Sequence, residues 1–598
     1  MNPGEPEKPF LGVRVSALGQ IWLDRLDARS RNIALTISQS TGLPELVARV
    51  LAGRGVAADQ AEQFLEPSIR ELMPDPSVLT DMDKAAERIA HAIINHQQVA
   101  VFGDYDVDGA AASALLHRFL ASHGINTEIY IPDRVFEGYG PNPAAMRELV
   151  AKGAELIITV DCGSTSFDAI AAAVSAGGDV VVLDHHQTGE ILPAALAVVN
   201  PNRHDDLSGL GHLCAAGVVF MTLVATARNL RAAGLSGGPD LMQLLDLVAL
   251  ATICDVVPLA GLNRALVVKG LAAMRLGGNI GLAALSASAR LSGPPEPYHL
   301  GFILGPRINA GGRIGDAALG ARLLTSEDEN EAAAIAAKLE ELNRERQVQE
   351  VAMVEQAIAQ AEAEIGTGPG PKVLVTQSSD WHAGIVGLIA ARLKEKYRRP
   401  AFAIQFDRSG NGTGSGRSVP GIDIGRAVRG ALEAGILAKG GGHAMAAGIT
   451  VEQGKLAALR AFFEEQGGAG FSALADNHVL RLDGALTARS ANLELMSLLE
   501  RAGPYGAGHP APVFVFPAHQ VFEARIVGND HVAVRLKAGD GARLQAIAFR
   551  AAQTPLGKLL MGPAQALHVA GTLSGDLWRG QRRVQLRILD AAVPSQFA

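Results

Sequence analysis

The sequence predicts a multidomain α/β protein in which a domain with a parallel sheet is joined by a long helix to a smaller α/β domain, followed by a small β-barrel. Three observations predict this class. Short apolar strands alternate with helices of about ten residues between residues 98 and 199, which is typical of βαβ units. A polar helical stretch without Pro or Gly occupies residues 326–365, and short strands separated by turns recur over residues 476–598. The length of 598 residues suits about four domains.

The parallel sheet is predicted from strands that are short and continuously apolar, which indicates burial on both faces. We place these strands at Gln98–Phe102, Glu128–Ile131, Leu156–Val160, Asp179–Leu183 and Leu196–Val199, with intervening helices at Ala110–Ser122, Ala144–Lys152 and Phe167–Ala176. Helical apolar spacing also occurs at Leu43–Leu65 and Asp81–Ile94 before the sheet, and at Cys214–Leu259 after it.

The polar stretch Ser326–Ile365 predicts a helix that connects two lobes, with a coiled coil as the alternative. It opens with Ser326 and Glu329 at the spacing of a capping box, and it ends at the GTGPGP linker of residues 366–371. Beyond the linker, Lys372–Thr376 begins the smaller α/β segment. Barrel strands are predicted at Val513–Phe516, Val532–Leu536, Leu544–Phe549, Leu567–Thr572 and Arg582–Ile588.

These elements divide the chain into five predicted segments. They are a partly helical leader (1–80), the parallel-sheet domain (81–325), the connecting helix (326–366), the smaller α/β domain (367–470) and the barrel (476–598).

Composition excludes several classes of protein. Hydrophobic residues make up 48% of the chain, so wholesale disorder is excluded. The three cysteines, Cys162, Cys214 and Cys254, are far apart and form no CxxC pair, which argues against a disulfide framework or a thiolate zinc site. The N-terminus lacks the pattern of a signal peptide and no apolar run approaches 18 residues, so we expect a cytoplasmic protein without a membrane partner.

The net charge of −8 argues, taken alone, against a nucleic-acid partner. Its distribution changes that interpretation. Residues 326–366 hold 3 basic and 11 acidic residues, a net charge equal to that of the whole chain. Residues 476–598 hold 13 basic and 9 acidic residues and are therefore net positive. The acidic total reflects the predicted connecting helix rather than the surfaces that would meet a nucleic acid.

The strongest chemical signal is the motif GDYDVDG at residues 103–109. It places Asp104, Asp106 and Asp108 at alternate positions between a predicted buried strand and an apolar helix. Three carboxylates this close repel one another unless a cation neutralises them. A calcium loop of the EF-hand type is excluded because its twelfth position would be Leu115 rather than Glu.

Two further strands also end in possible metal ligands. One runs into Asp161 and the next into Asp184, His185 and His186. Because the carboxyl ends of neighbouring parallel strands meet at one crevice, we expect these side chains and the three motif aspartates to form one site. Asp255, which ends the apolar run of residues 247–254, is a further candidate because an unpaired carboxylate there would be costly.

Mixed carboxylate and imidazole ligands suit Mn²⁺ or Mg²⁺ better than zinc. The ligands are numerous enough for two ions, and a pair of ions is the usual device for in-line attack at phosphorus. The residues therefore predict metal-assisted hydrolysis of a phosphoester or phosphoanhydride.

Gly-rich and basic segments supply candidate phosphate contacts, although none is a P-loop. The stretch GGGHAMAAG, at residues 440–448 with His443, is either a phosphate cradle or only a tight turn. We interpret GSGRS and PRINAGGRIGDA as a flexible loop and a polar turn that carry basic side chains. A third segment, PDRVFEGYG, adds a basic side chain and an aromatic ring that offers a stacking platform. The candidates are Arg417 from GSGRS, Arg307, Asn309 and Arg313 from PRINAGGRIGDA, and Arg134 and Tyr139 from PDRVFEGYG.

Taken together, GDYDVDG, VDCG, DHHQ and Asp255, in that order, resemble the DHH phosphoesterase superfamily, and GGGHAMAAG resembles its associated DHHA1 domain. More narrowly, the chain resembles the RecJ family of bacterial single-stranded-DNA-specific exonucleases. The segments that carry this resemblance are EGYGPN, ATICDVVPL, RINAGGRIGDA, GRS and PYGAGHPAPVF, together with the C-terminal β segment. One departure is His509, where the family's usual run has Asn, which puts a local turn in doubt.

The resemblance implies a 5′→3′ exonuclease that releases 5′-mononucleotides from single-stranded DNA through two Mn²⁺ or Mg²⁺ ions, in DNA repair and recombination. It also implies an OB-like fold for the barrel, which would hold the strand, and a monomeric chain. Whether a single-stranded-DNA-binding protein or a helicase docks on the chain stays open. The metal ligands that it implies are Asp106, Asp108, Asp161, His185 and Asp255.

The remaining roles follow from the same resemblance. Asp104 would be a ligand or lie behind one, His186 would contact the scissile phosphate, and Asp184 would orient a histidine. Two other interpretations are a DHH enzyme that acts on pyrophosphate, nanoRNA or a cyclic dinucleotide, and an inactive DNA-binding scaffold. The leader and barrel argue against the first, and the complete set of motif carboxylates and histidines argues against the second.

Overall fold

The structure is a computed structural model that describes residues 8–594, except for Val135, Tyr139, Ser236, Thr367, Pro369, 467–478, Ala564 and 579–580. The described residues form two compact units. Among the described residues, the larger unit comprises 73–257 and 262–466, and the barrel unit comprises 8–72, 258–261 and 479–594.

The strands and helices are numbered in chain order. The strands are β1 (Ile21–Asp24), β2 (Val99–Gly103), β3 (Thr127–Tyr130), β4 (Leu156–Val160), β5 (Asp179–Leu183), β6 (Ala197–Val199), β7 (Leu374–Ser378), β8 (Ala401–Phe406), β9 (Asn411–Arg417), β10 (Lys439–Gly442), β11 (Ala446–Glu452), β12 (Val479–Leu482), β13 (Gly484–Ala485), β14 (Phe514–Val527), β15 (His531–Lys537), β16 (Arg543–Ala548), β17 (Ala566–Trp578) and β18 (Gln581–Ala592).

The α-helices are α1 (Ala28–Thr41), α2 (Glu45–Ala52), α3 (Ala61–Leu65), α4 (Ile69–Leu72), α5 (Met82–Ile94), α6 (Val107–Ser122), α7 (Pro143–Ala151), α8 (Phe167–Ser175), α9 (Ala215–Ala232), α10 (Leu245–Cys254), α11 (Gly261–Arg275), α12 (Ile280–Ser288), α13 (Pro297–His299), α14 (Gly305–Ile314), α15 (Leu319–Thr325), α16 (Glu329–Ile365), α17 (Val386–Tyr397), α18 (Ile424–Glu433), α19 (Leu456–Gln466), α20 (Leu493–Ala502) and α21 (Pro555–Leu560).

The larger unit is built on a five-stranded sheet whose order is β3-β2-β4-β5-β6 and whose neighbours are all parallel. Every residue of β2 and β4 is buried, as expected for strands covered on both faces. The predicted parallel-sheet α/β domain is thus confirmed. The carboxyl ends of its strands lie at one edge, and that edge positions the candidate site.

The smaller sheet of this unit has the order β10-β11-β9-β8-β7, in which only β7 and β8 are parallel. The long helix α16 spans 37 residues, close to the predicted connecting helix. Its N-cap is Asp328 rather than Ser326, because the Asp328 carboxylate accepts hydrogen bonds from Asn330 N and Glu331 N. The Ser326 hydroxyl instead donates to the Glu331 side chain.

Two segments that we interpreted as turn or loop are regular structure. The first nine residues of PRINAGGRIGDA lie in helix α14, and GSGRS lies in and just after strand β9. Glycines suit both elements because the neighbours come close. A Cβ atom on Gly312 would lie 2.5 Å from the Tyr105 carbonyl oxygen, and one on Gly416 would lie 2.4 Å from the Phe402 ring. These glycines permit close packing and are not signs of a turn.

The barrel unit contains the predicted C-terminal barrel, with all five predicted strands present. Strands β14, β15, β16, β18 and β17 are paired in that order, and the pairing of β14 with β17 closes the barrel, consistent with an OB fold.

The leader joins the barrel unit through long-range contacts. Strand β1 pairs in parallel with β12, and the Trp22 indole donates to the Asp590 carboxylate at 3.0 Å. Fully buried Asp483 forms ion pairs with Arg25 and Arg54. His509, the departure from the family pattern, is accommodated because its Nε2 lies 2.9 Å from the Ala502 carbonyl oxygen.

No single helix in the described part of the chain is long and apolar enough to cross a membrane. Two consecutive helices, Gly261–Arg275 and Ile280–Ser288, together have the length and apolar composition of a membrane span, but the pair is bent by 79°.

Candidate metal centre

The loop between β2 and α6 carries the first three carboxylates. Asp106 is the N-cap of α6, and its Oδ1 accepts hydrogen bonds from Asp108 N at 2.9 Å and Gly109 N at 3.1 Å. Asp108 is buried, and its two oxygens accept from Ala215 N and Ala216 N at the start of α9, at 2.6 and 2.8 Å. The cap and the second helix N-terminus thus fix both carboxylates, and each helix dipole favours their negative charge.

Asp161 follows β4 directly and has the left-handed backbone angle φ 60°. This conformation is uncommon for a residue with a side chain, and it costs about 1–3 kcal/mol. Such strain occurs preferentially at functional sites. The Asp161 side chain is buried, and its Oδ1 lies 3.2 Å from His185 Nε2.

Asp184 follows β5 and organises the two histidines after it. Its Oδ1 accepts from His185 N, His186 N and His186 Nδ1, the last at 2.8 Å, while Oδ2 accepts from Ser164 N. Burial would raise the pKa of Asp184, but the His186 hydrogen bond holds it well below its usual range. Burial would lower the pKa of His186, but Asp184 raises it to about 9.

Helix α10 delivers the last carboxylate. Asp255 is the C-cap residue of this buried helix, and its Oδ2 lies 3.8 Å from His185 Nε2. Asp108 Oδ2 lies 3.7 Å from the same nitrogen. The structure therefore brings together all eight acidic and imidazole residues that the sequence nominated, from four separate segments of the chain.

Their ligand atoms fall into overlapping groups within 4.8 Å of one another. The three groups are Asp104, Asp106 and Asp161; Asp108, His185 and Asp255; and Asp161, His185 and His186. The first two have no member in common, whereas Asp161 belongs to two of the three groups. The first two groups offer ligands for two cations, and Asp161 Oδ1 of the first lies 3.2 Å from His185 Nε2 of the second.

The electrostatics of the site also fit cations. Burial, followed by the charge of Asp106, raises the pKa of Asp104 well above its usual range, and Asp104 Oδ1 is buried without a hydrogen-bond partner in the described structure. Burial and the neighbouring carboxylates likewise raise the pKa of Asp161. Burial, Asp108 and Asp106 raise the pKa of Asp255 to about 8. Divalent ions would stabilise buried carboxylates that are hard to ionise, and oxygen-rich ligands favour Mn²⁺ or Mg²⁺.

A cationic cluster accompanies the carboxylates. Arg134 lies over the Tyr105 ring at 4.9 Å, next to Asp104 in the motif loop. Arg313 of α14 donates to the Gly384 carbonyl oxygen, and burial, Arg134, Arg346 and Arg417 lower its pKa to about 9. Burial and Arg134 also lower the pKa of Arg417. Guanidinium groups that repel one another at this density indicate an anion site.

Other predicted phosphate contacts have different surroundings. Arg307 is paired with Glu340 of α16 at 2.6 Å, so its charge is already neutralised by the protein. Asn309 lies on the same helix α14 and is partly exposed. His443 follows β10, and its ring stacks on that of His186 with centroids 6.3 Å apart. Tyr139 lies outside the described residues.

Sequence reasoning missed several residues that hold the site in place. The Asn200 side chain after β6 donates to Ser164 Oγ and to the His186 carbonyl oxygen, and Asn202 donates to the His185 carbonyl oxygen at 2.6 Å. Arg346 of α16 approaches the cationic cluster and pairs with Glu350. The run NPN at residues 200–202 directly follows a predicted strand, so the two asparagines could have been predicted from the sequence. Nothing in the sequence of the long helix distinguished Arg346 from its other charged residues.

Comparison with known families divides the chain as follows. Residues 98–252 match the DHH family, N-terminal domain; residues 370–467 match the DHHA1 domain; and residues 482–590 match the RecJ OB domain.

Several similar proteins and solved structures share one name. The single-stranded-DNA-specific exonuclease RecJ of Dickeya dadantii is 36% identical over 91% of this chain and 96% of its own length. The protein of the same name from Escherichia coli is 36% identical, over 88% of this chain and 92% of its own length. A crystal structure of RecJ from Thermus thermophilus in complex with Mn²⁺ is 29% identical, with a TM-score of 0.77 and coverage of 96% of this chain and 79% of that one. A complex of RecJ from the same organism with Mg²⁺ is 27% identical, with a TM-score of 0.73 and coverage of 96% and 78%.

Proposed function

Because the chain belongs to the RecJ family of single-stranded-DNA-specific exonucleases, we propose that it hydrolyses single-stranded DNA from the 5′ end to 5′-mononucleotides, in DNA repair and recombination. The observation that carries the proposal is the pair of adjacent ligand groups without a shared member, in which Asp161 Oδ1 of one group lies 3.2 Å from His185 Nε2 of the other. The match to the RecJ OB domain favours this function over a DHH phosphoesterase that acts on small substrates.

We assign the metal ligands to the two groups. Asp104, Asp106 and Asp161 would hold one Mn²⁺ or Mg²⁺ ion, and Asp108, His185 and Asp255 would hold the other. When bound, the two ions would polarise the scissile phosphate and lower the pKa of the attacking water. The chain's part is to hold these ligands rigidly through the α6 cap, the α9 N-terminus and the amides of Asn200 and Asn202.

His186 acts beside the ions. Asp184 lies 2.8 Å from its Nδ1 and raises the pKa of the ring, which favours the protonated form, so His186 would contact the scissile phosphate and stabilise negative charge that develops there. His443, which stacks on the same ring, would meet the phosphate backbone from the DHHA1 side. Because this pairing brings two segments of the larger unit together, both would contact one substrate.

The cationic cluster would bind phosphate groups of the DNA strand. Arg134, Arg313 and Arg417 would bind a backbone or terminal phosphate, with Arg307 and Asn309 further along α14. Arg307 would have to exchange Glu340 for phosphate, so we assign it the weaker contact. The barrel would hold the strand through its OB fold.

The remaining assignments concern partners and location. We propose that the chain works as a monomer in the cytoplasm, and that a single-stranded-DNA-binding protein or a helicase delivers its substrate. Size-exclusion chromatography with light scattering tests the first statement, and pull-down with each purified candidate tests the last. A stable dimer or the absence of any complex would refute the corresponding assignment.

The proposed reaction is tested by product analysis. The chain is incubated with Mn²⁺ and with 5′-phosphorylated single-stranded DNA, duplex DNA or dinucleotides, and the products are separated. We expect mononucleotides from the single strand, and little product from the duplex. Turnover of dinucleotides alone would instead support the small-substrate function.

A further inference from the structure

Two aromatic rings lie exposed and stacked on the larger unit. The side chains are those of Tyr298 and Phe302, which we call the aromatic pair; the residues are 53% and 72% exposed. Their ring centroids are 5.3 Å apart with an angle of 22° between the ring planes. Large aromatic side chains usually supply buried area to a core or an interface, so a stacked and exposed pair indicates a surface that meets a partner.

The backbone that carries the pair is unusual. Tyr298 belongs to the short helix α13, and Phe302 belongs to a π-helical turn, Leu300–Leu304, that runs directly into α14. Turns of this type are rare and occur frequently at functional sites. The four-residue spacing places the two rings on the same side of the helical segment.

The π-helical turn lies against the end of α10, directly before the metal-ligand candidate Asp255. The Cys254 thiol donates to the Leu300 carbonyl oxygen at 3.4 Å. A Cβ atom on Gly301 would lie 3.3 Å from Ile253 Cγ2, so the turn packs against the Ile253 side chain. Tyr298 and Phe302 are therefore each two residues away from Leu300, which contacts the end of α10 next to Asp255.

The other end of the same helical segment reaches the cationic cluster. Arg313 lies eleven residues after Phe302, which corresponds to about 16 Å along a helix. Arg313 shares the cluster with Arg134 and Arg417. One continuous element thus has aromatic rings at its start, phosphate-binding candidates at its end and the Asp255 segment beside it.

We propose that the aromatic pair is a stacking platform for nucleobases of the DNA strand that enters the metal centre. The proposal rests on the function proposed above. Every nucleobase has a π-face, so stacking on Phe302 and Tyr298 would hold the strand without selecting its sequence. With a phosphate in the cationic cluster, the bases on the pair would belong to nucleotides that have not yet been cleaved.

The test compares DNA with and without bases. Substrates are 5′-phosphorylated oligothymidylate and an oligonucleotide of equal length in which a central block is abasic. We expect Phe302→Ala to raise the KM for oligothymidylate about five- to tenfold, the lower part of the effect of losing one stacked base. The native chain should lose a similar factor on the abasic substrate, whereas the variant should lose little more.

Two further variants separate stacking from a general packing effect. Phe302→Tyr keeps an aromatic ring and should retain the native KM. Leu276→Ala removes another exposed apolar side chain, which is 86% exposed and distant in sequence from the pair, and should also retain it. A raised KM in Phe302→Tyr, or equal loss on both substrates in Phe302→Ala, would overturn the proposal.

Strand binding is also measured without catalysis, by fluorescence anisotropy of labelled oligothymidylate in EDTA. Weaker binding by Phe302→Ala than by Leu276→Ala would support stacking. If the native chain also failed to cleave DNA, that failure would refute the proposed function but not the stacking. Equal binding and equal KM in the two variants would refute stacking and leave the proposed function intact.

Discussion

Replacing Asp161 with Asn tests the metal centre most sharply, because this residue belongs to two of the three ligand groups. The change keeps the side chain's shape and removes its charge. Loss of a single group that supports a metal site typically costs 10–100-fold in affinity or activity. Because Asp161 is a ligand of one assigned ion and its Oδ1 lies 3.2 Å from His185 Nε2, a ligand of the other, we expect cleavage of single-stranded DNA to fall by at least about 100-fold.

The same substitution has the opposite effect on metal-free stability. The pKa of Asp161 is raised in the folded protein, so the folded state binds the proton more tightly than the unfolded state and loses stability as pH rises above the unfolded pKa. Replacing the carboxylate removes that loss. In EDTA at pH 8, the Asp161→Asn variant should therefore melt at a higher temperature than the native chain, and the difference should shrink toward pH 4.

The assays are cleavage of labelled single strands at several Mn²⁺ concentrations and differential scanning calorimetry with EDTA or Mn²⁺. Asp168→Asn is the matched control because Asp168 is an exposed carboxylate on α8 outside the ligand groups. Strand binding should survive in Asp161→Asn, since the cationic cluster is untouched. Native cleavage by this variant, or a lower melting temperature than the native chain in EDTA, would refute the reasoning.

Three further predictions follow from other parts of the molecule. Because burial and the neighbouring carboxylates raise the pKa of Asp255 to about 8 without metal, Mn²⁺ binding at pH 7 should release a proton from this group, and affinity should fall toward pH 6. Calorimetry in buffers of different ionisation enthalpy measures the released proton, and buffer-independent heats would contradict it. Arg417→Ala should raise the KM for 5′-phosphorylated strands about tenfold more than the KM for 5′-hydroxyl strands. An equal rise for both strands would show that the cationic cluster does not bind a terminal phosphate. Arg54→Ala leaves buried Asp483 with fewer partners and should destabilise the barrel unit by about 3–5 kcal/mol in denaturant unfolding, and an unchanged midpoint would exclude that role.

The sheet and the metal centre could be predicted because local patterns determine both. Asp104, Asp161 and Asp184 each follow an apolar run that can only be a buried strand, and parallel strands bring their carboxyl ends together. The sequence therefore predicted the neighbours correctly without any knowledge of distances.

Other features depended on contacts between distant parts of the chain. Arg307 and Arg313 looked equivalent in sequence, but only Arg313 joins the cationic cluster, because Glu340 of α16 neutralises Arg307. The leader gave no sign of its pairing with β12, since that register joins Ile21 to Val479. Glycine content also misled the prediction at α14, where glycine serves close packing rather than a turn.

We propose that this chain removes nucleotides from the 5′ end of single-stranded DNA with the aid of divalent ions. The most direct test is digestion of single strands labelled at either the 5′ or the 3′ end, with Mn²⁺ and then with EDTA. We expect the 5′ label to appear at once as a mononucleotide, the 3′-labelled strand to shorten progressively, and EDTA to stop both. Release of the 3′ label first, or cleavage that persists in EDTA, would contradict it.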